Sequence, residues 1–180
     1  MERIKKIAQV LRRSGDLIVK KRKDNEWIVS DTHIALFISN KEYQRFKSKW
    51  NSYKSNTVLP DNIKEYTTVG GGRESSPDFE KIIPKIKKEI ELKDTMFSYK
   101  EQRIFKSKEN HIVLLDKDYI PLISDDWTAH TDSMDDEKIH FKPVVFKEDQ
   151  DLKAIVMPQV ARSYTTPKEL VECELDCKFN

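Results

Sequence analysis

Cysteine is almost missing from this chain: of 180 residues only Cys173 and Cys177 carry a thiol. Two thiols four positions apart supply neither a disulfide framework nor a metal set, and on one helical face they read as ordinary reduced side chains. Long apolar runs are missing too, since none approaches the ~18 residues of a membrane span. The opening MERIKKIAQVLRRSGD carries charges where a secretion signal needs its apolar stretch. Both absences lead us to expect a cytoplasmic protein without a membrane partner. Glycine is scarce, and three of the four fall together at Gly70, Gly71 and Gly72, ahead of Ser75, Ser76 and Pro77. Val69-Gly-Gly-Gly-Arg-Glu lacks the Lys and the Ser or Thr of a phosphate-cradling loop, so it reads as a flexible connection.

What the chain has in abundance is charge, at 36% of residues against 37% hydrophobic, with a net charge of only +2. That small sum hides an uneven distribution. Residues 1 to 54 carry fourteen Lys or Arg against six Asp or Glu, whereas residues 116 to 151 carry four against eleven. A basic region of this size permits contact with an anionic partner such as nucleic acid. It also permits head-to-tail association with an acidic region, or plain solvation.

The apolar pattern predicts an α+β fold. Ile4, Ile7, Ala8, Val10 and Leu11 approximate helical spacing and end at Ser14-Gly15, which gives a short basic amphipathic helix. Leu17 to Val19, Trp27 to Val29 and Ile34 to Ile38 read as a hairpin and a third strand. Tyr43, Phe46, Trp50 and Tyr53 fall at intervals of 3, 4 and 3, one helical stripe of aromatics surrounded by cations. Such a stripe serves a core face more often than a stacking platform for bases. Residues 55 to 76 are expected to be an irregular connection. The stretch PDFEKIIPKIKKEIELKDTMFSYK fits a short helix or an alternating strand equally. IFKSKENHIVLL reads as a hairpin, LDKDYIPLI as a short irregular helix or turn, and DDWTAHTDSMDDE as an acidic loop. IHF, PVVF and KAIVMP follow as strands, so the β core is expected between His111 and Gln159. The main domain is expected over residues 1–158. A tail over 159–180 carries Thr166-Pro-Lys-Glu169, a capping box that announces a final helix from about Pro167 to Asp176.

These segments resemble the bacterial sliding clamps, the beta subunits of DNA polymerase III. LKAIVMPQV is similar to the apolar strand on which clamps close, LDKDYIPLI to the segment that opens the second helix of a clamp domain, and EKIHFK with PVVFKE to the two strands between. SPDFEKIIP is similar to a clamp domain junction, and the first helix with WIVSDTHIALF to the first helix and strand pair. Ser76 stands where clamps have Phe, and Gln159 replaces their usual residue after Met-Pro. A clamp subunit holds several such domains and this chain has room for one, so a ring would need several copies as a homo-oligomer. The resemblance implies repeated β-α-β-β-β halves, a surface of basic helices towards DNA, and a small phage-encoded protein of host cytoplasm.

The functional expectation is a non-catalytic binding protein acting on DNA or on a replication or defence protein, with no cofactor and no metal. Phosphate contact would fall to Arg12, Arg13, Lys20, Lys21, Arg22 and Lys23, with Lys47 and Lys49 at the rim, because such contacts require positive charge on a common face. An alternative is an inhibitor that presents the acidic loop, with Asp125, Asp126, Asp132, Asp135 and Asp136, to a basic protein surface. A second alternative is a metal-dependent nuclease, in which Pro77-Asp78 and Glu91-Leu92-Lys93 match the PD-(D/E)xK pattern of two metal-binding carboxylates and a lysine. His130 and His140 with the same aspartates lack metal-ligand spacing and read as a solvated loop. Asp31 and His33 fall on one side of a strand, where one could orient the other as a general base, yet no nucleophile accompanies them.

Overall fold

The computed structural model describes residues 2–23, 25–53, 58–68, 89–109, 111–132, 139–140 and 142–158. The chain divides into two compact units, Met1–Ile82 and Ile83–Asn180. Its architecture is α+β, with largely antiparallel strands and two α-helices among the described residues. None of the described helices is long and apolar enough to cross a membrane.

In the first unit, α1 (Glu2–Ser14) buries Ile4, Ile7, Ala8 and Leu11, four of the five apolar residues in the predicted stripe, with Val10 half-buried beside them. Gly15, at φ +79, then ends the helix in a left-handed conformation that favours glycine. β1 (Leu17–Lys23), β2 (Glu26–Ser30) and β3 (Ile34–Ser39) follow as an antiparallel meander. β3 buries Ile34 to Ile38 consecutively, so it is covered on both faces. The turn between β2 and β3 is held by Asp31, whose Oδ1 accepts from the backbone N–H of His33 at 3.0 Å and of Ile34 at 2.9 Å. Thr32 takes the positive φ of 79° there.

Ser39 begins α2 (Asn40–Ser52) with a reciprocal cap: its hydroxyl accepts from Glu42 N–H at 3.2 Å, and the Glu42 carboxylate accepts from Ser39 N–H at 2.9 Å. Tyr43, Phe46 and Trp50 are buried along this helix, so three of the four aromatics in the stripe form a core face, while Tyr53 is its half-buried C-cap. β4 (Glu65–Thr68) pairs with β1 and completes the sheet order β4-β1-β2-β3. The sequence reading of 55 to 76 as irregular throughout is corrected by this strand. Glu-Tyr-Thr-Thr has too little apolar alternation to announce itself, and the exposed ladder of β1 supplies its partner.

The second unit contains β5 (Glu89–Tyr99), β6 (Gln102–Lys106), β7 (Ile112–Asp116), a 3-10 turn at Ile120–Leu122, β8 (Thr128–Asp132), β9 (Ile139–His140), β10 (Val144–Glu148) and β11 (Asp151–Val156). Their order is β11-β10-β8-β5-β6-β7-β9, with β7 and β9 parallel and the other pairs antiparallel. Phe105 and Phe146 meet edge to face at 6.0 Å in its core. The undecided segment before Tyr99 is therefore a strand. LDKDYIPLI is a single 3-10 turn, shorter than the helix the clamp resemblance implies. The acidic loop is corrected in part: Thr128 to Asp132 form β8, hydrogen-bonded to β5 and β10 on its two sides. Small Ala129 and hydroxylated Thr131 fill its buried face, so a polar composition conceals an interior strand. The expected C-terminal helix lies outside the described residues.

β5 carries an irregularity between Asp94 and Ser98, where Met96 adopts φ 64°. Asp94 Oδ1 accepts from Met96 N–H at 2.7 Å, and Arg103 braces the bulge by donating to Asp94 and to the Met96 carbonyl at 2.8 Å. The bulge turns Met96 and Phe97 outwards, 71% and 57% exposed.

Candidate anion-binding cleft

Strand pairing separates Lys20 from the rest of the basic run that the sequence presents as one patch. Lys21 lies in register with Trp27 and Ile38, on the side where Trp27 meets α2. Lys20 lies in register with Ile28 and Phe37 and pairs with Glu65 at 3.9 Å. Arg22 stands over the Phe37 ring at 5.3 Å and bonds Glu26 at 2.7 Å. Of the four cations expected on a common face, Lys21, Arg22 and Lys23 line one cleft and Lys20 does not, with Lys20 and Arg22 engaged by carboxylates.

Lys21, Arg22 and Lys23 line a cleft of about 490 Å³ together with Tyr43, Lys47, Asn62 and Lys64. β1 supplies the first three cations, α2 supplies Tyr43 and Lys47, and the segment before β4 supplies the rest. A backbone bond from Lys21 N–H to the Lys64 carbonyl, 2.8 Å, ties that segment to β1. On the floor, Trp27 and Tyr43 stack with centroids 3.7 Å apart and planes 11° apart. Trp27 Nε1 donates to Asn40 Oδ1 at 3.0 Å, which fixes the pair. The Tyr43 hydroxyl is buried and has no hydrogen-bond partner among the described residues. Its pKa is pushed up to about 12, first by burial and then by the charge of Asp61. Asp61 bonds the Lys47 ammonium, which lowers the Asp61 carboxyl below its ordinary value.

The remaining candidates lie elsewhere. Arg12 and Arg13 end α1. Arg12 and Lys49 lie 4.9 and 5.3 Å from the Tyr53 ring centroid. In the nuclease pattern, Lys93 bonds Glu91 at 2.6 Å and that contact lowers the Glu91 pKa, while Asp78 lies outside the described residues. Asp125 and Asp126 line a hollow of about 290 Å³ in the second unit, together with Met96. Asp132 sits on β8 and pairs with Lys142 at 3.7 Å, and Asp135 and Asp136 lie outside the described residues. His130 is held by Glu89 at 2.9 Å and by the Thr128 hydroxyl at 2.8 Å, and Lys147 shares Glu89 at 2.6 Å. Burial lowers the His130 pKa first, with Glu89 opposing. The Asp31 and His33 pairing is replaced by the turn that Asp31 caps through backbone N–H groups. Among the described residues no three His, Cys, Asp or Glu side chains gather as a metal site.

No family model, curated protein or solved structure matches the chain. Function is therefore argued from this geometry. Sequence reading had no means to include Lys64 and Asn62, because they precede a strand without apolar signal. Tyr43 was visible as a core or stacking aromatic, and its hydroxyl entered neither reading.

Proposed function

We propose that the protein binds DNA without catalysis through the basic surface of its first unit. The observation that carries this reading is the convergence of Lys21, Arg22, Lys23, Lys47 and Lys64 on one cleft. Phosphates need cations grouped at this scale, and affinity built on them falls as salt rises. The resemblance to sliding clamps supplies the biological setting, a replication-associated protein, and the expectation of a binding role. A duplex titration over rising salt tests it. Lys21→Ala, Lys23→Ala and Lys64→Ala should each weaken binding and lower the salt slope by about one. Lys20→Ala, outside the cleft, and Arg22→Ala, whose guanidinium lines the cleft but bonds Glu26 at 2.7 Å, should have smaller effects. Binding that is indifferent to salt, or equal losses at all five positions, would sink the reading.

A second reading has one observation in its favour: Asp125 and Asp126 stand at a hollow beside the exposed Met96. It casts the second unit as an acidic and apolar surface for a basic protein of the replication or defence machinery. Asp125→Asn with Asp126→Asn should release such a partner, and a complex that persists would dismiss it.

A further inference from the structure

Of the buried hydroxyls in the first unit without a partner among the described residues, those of Tyr43, Tyr53 and Thr67, the Tyr43 hydroxyl is the one whose side chain lines the cleft. Tyr43 is 2% exposed, and its oxygen has no acceptor or donor among the described residues. Native proteins rarely leave a buried hydroxyl unpaired, because it has lost water and gained nothing in return. The ring is locked by the Trp27 stack, so the hydroxyl is held in one direction without the partner that would justify it.

Beside it stands a cation with an unusual companion. The Lys47 side chain is 14% exposed, whereas the Asp61 side chain that it bonds is 92% exposed. A lysine whose side chain is mostly covered thus presents its ammonium at the cleft surface to a carboxylate standing in solvent, on a turn where Asn62 takes φ 61°. Asp61 occupies the place of an anion that arrives from outside.

We propose that this cleft receives a terminal phosphate, a phosphomonoester on a nucleic-acid strand end or on a free mononucleotide, which displaces Asp61 from Lys47 and accepts from the Tyr43 hydroxyl. A phosphomonoester brings about −1.5 to −2 charge and three acceptor oxygens, whereas an internal diester brings one charge and is flanked by sugar on both sides. Several lysines and one fixed hydroxyl donor match the former. The cleft, at about 490 Å³, falls in the range of small-ligand sites and leaves room for a sugar beyond the phosphate. Because burial and Asp61 keep the phenol protonated until about pH 12, it remains a donor at neutral pH. The inference rests on the nucleic-acid reading only for the source of the phosphate.

The test uses the full chain and four probes: inorganic phosphate, thymidine monophosphate, and one oligonucleotide with either a 5′-phosphate or a 5′-hydroxyl end. Trp27, in the cleft floor, provides a fluorescence readout. The phosphorylated oligonucleotide should bind about tenfold or more tighter than its hydroxyl twin, as hydrogen bonds to charged groups imply. Thymidine monophosphate should compete for it. Tyr43→Phe, which keeps the ring, should remove most of the preference, and Asp61→Asn should strengthen thymidine monophosphate binding. If both oligonucleotides bind equally and Tyr43→Phe changes nothing, the phosphate site is wrong while the DNA reading stands. If thymidine monophosphate binds and neither oligonucleotide does, the site stands and the DNA reading falls. A preference that survives Tyr43→Phe overturns the role given to the hydroxyl.

Discussion

Replacing Tyr43 by Phe removes one oxygen from the protein interior and leaves the Trp27 stack in place. That oxygen is buried and lacks a partner among the described residues, so its loss should relieve a desolvation penalty of about 1–3 kcal/mol. In a chain of this length each kcal/mol is worth roughly 2–4 °C, so the variant should melt several degrees higher at pH 7. Alkali adds a second signature. The hydroxyl ionises at about 12 in the folded protein against an ordinary 10.0, so the folded state holds its proton more tightly than the unfolded state does. Its contribution is therefore intact below about pH 10 and is lost as pH rises from there through about 12. At pH 11 the loss is about 1.4 kcal/mol, and the Phe variant escapes it. Urea unfolding of both proteins at pH 7 and at pH 11 reads both numbers. A variant no more stable than its parent at pH 7, or a stability gap that stays constant up to pH 11, would refute the assignment of an unpaired, shielded hydroxyl. Greater stability together with weaker phosphate binding would mark Tyr43 as a residue kept for a ligand at the expense of the fold.

Phe46 is fully buried on α2 and tilted against Trp50, so Phe46→Ala should destabilise by about 3–5 kcal/mol, read by urea unfolding. His130 is held neutral by burial, and its folded pKa lies below 6.5. Stability should therefore fall as pH drops from about 6.5 towards that lower value, and His130→Gln should flatten this part of the curve in chemical denaturation at pH 5 to 7.

Where apolar spacing was strong, local structure was legible. Ile4, Ile7, Ala8 and Leu11 gave α1, the aromatic stripe gave α2 and its core role, and the runs at Leu17, Trp27 and Ile34 gave three strands. The turn after Lys106 was legible from its polar residues. Legibility failed where pairing, rather than side-chain pattern, decides the conformation. β4 exists because β1 offers a ladder, and β8 is built from Thr, Ala, His, Thr and Asp because neighbours flank it on both sides. The site was half legible. Lys21, Lys23 and Lys47 stand out as charge, but only strand alternation separates Lys21 from Lys20, and only folding brings Lys64 to them. The Met96 and Phe97 exposure was hidden because a bulge reverses what their apolar character suggests.

β4, at the outer side of the first sheet, is four residues long, and its Glu65 is engaged by Lys20. β9, last in the second unit's order, has two residues. Among the described residues both rims are thus too brief to template a passing strand, and one carries a charge as well. Copies of this protein that meet at these margins find little backbone to zip onto, so crowding in the cell should not drive them into continuous β-ribbons there. Any assembly built at those two margins would have to be specified by side chains and hence remain reversible and sensitive to point substitution.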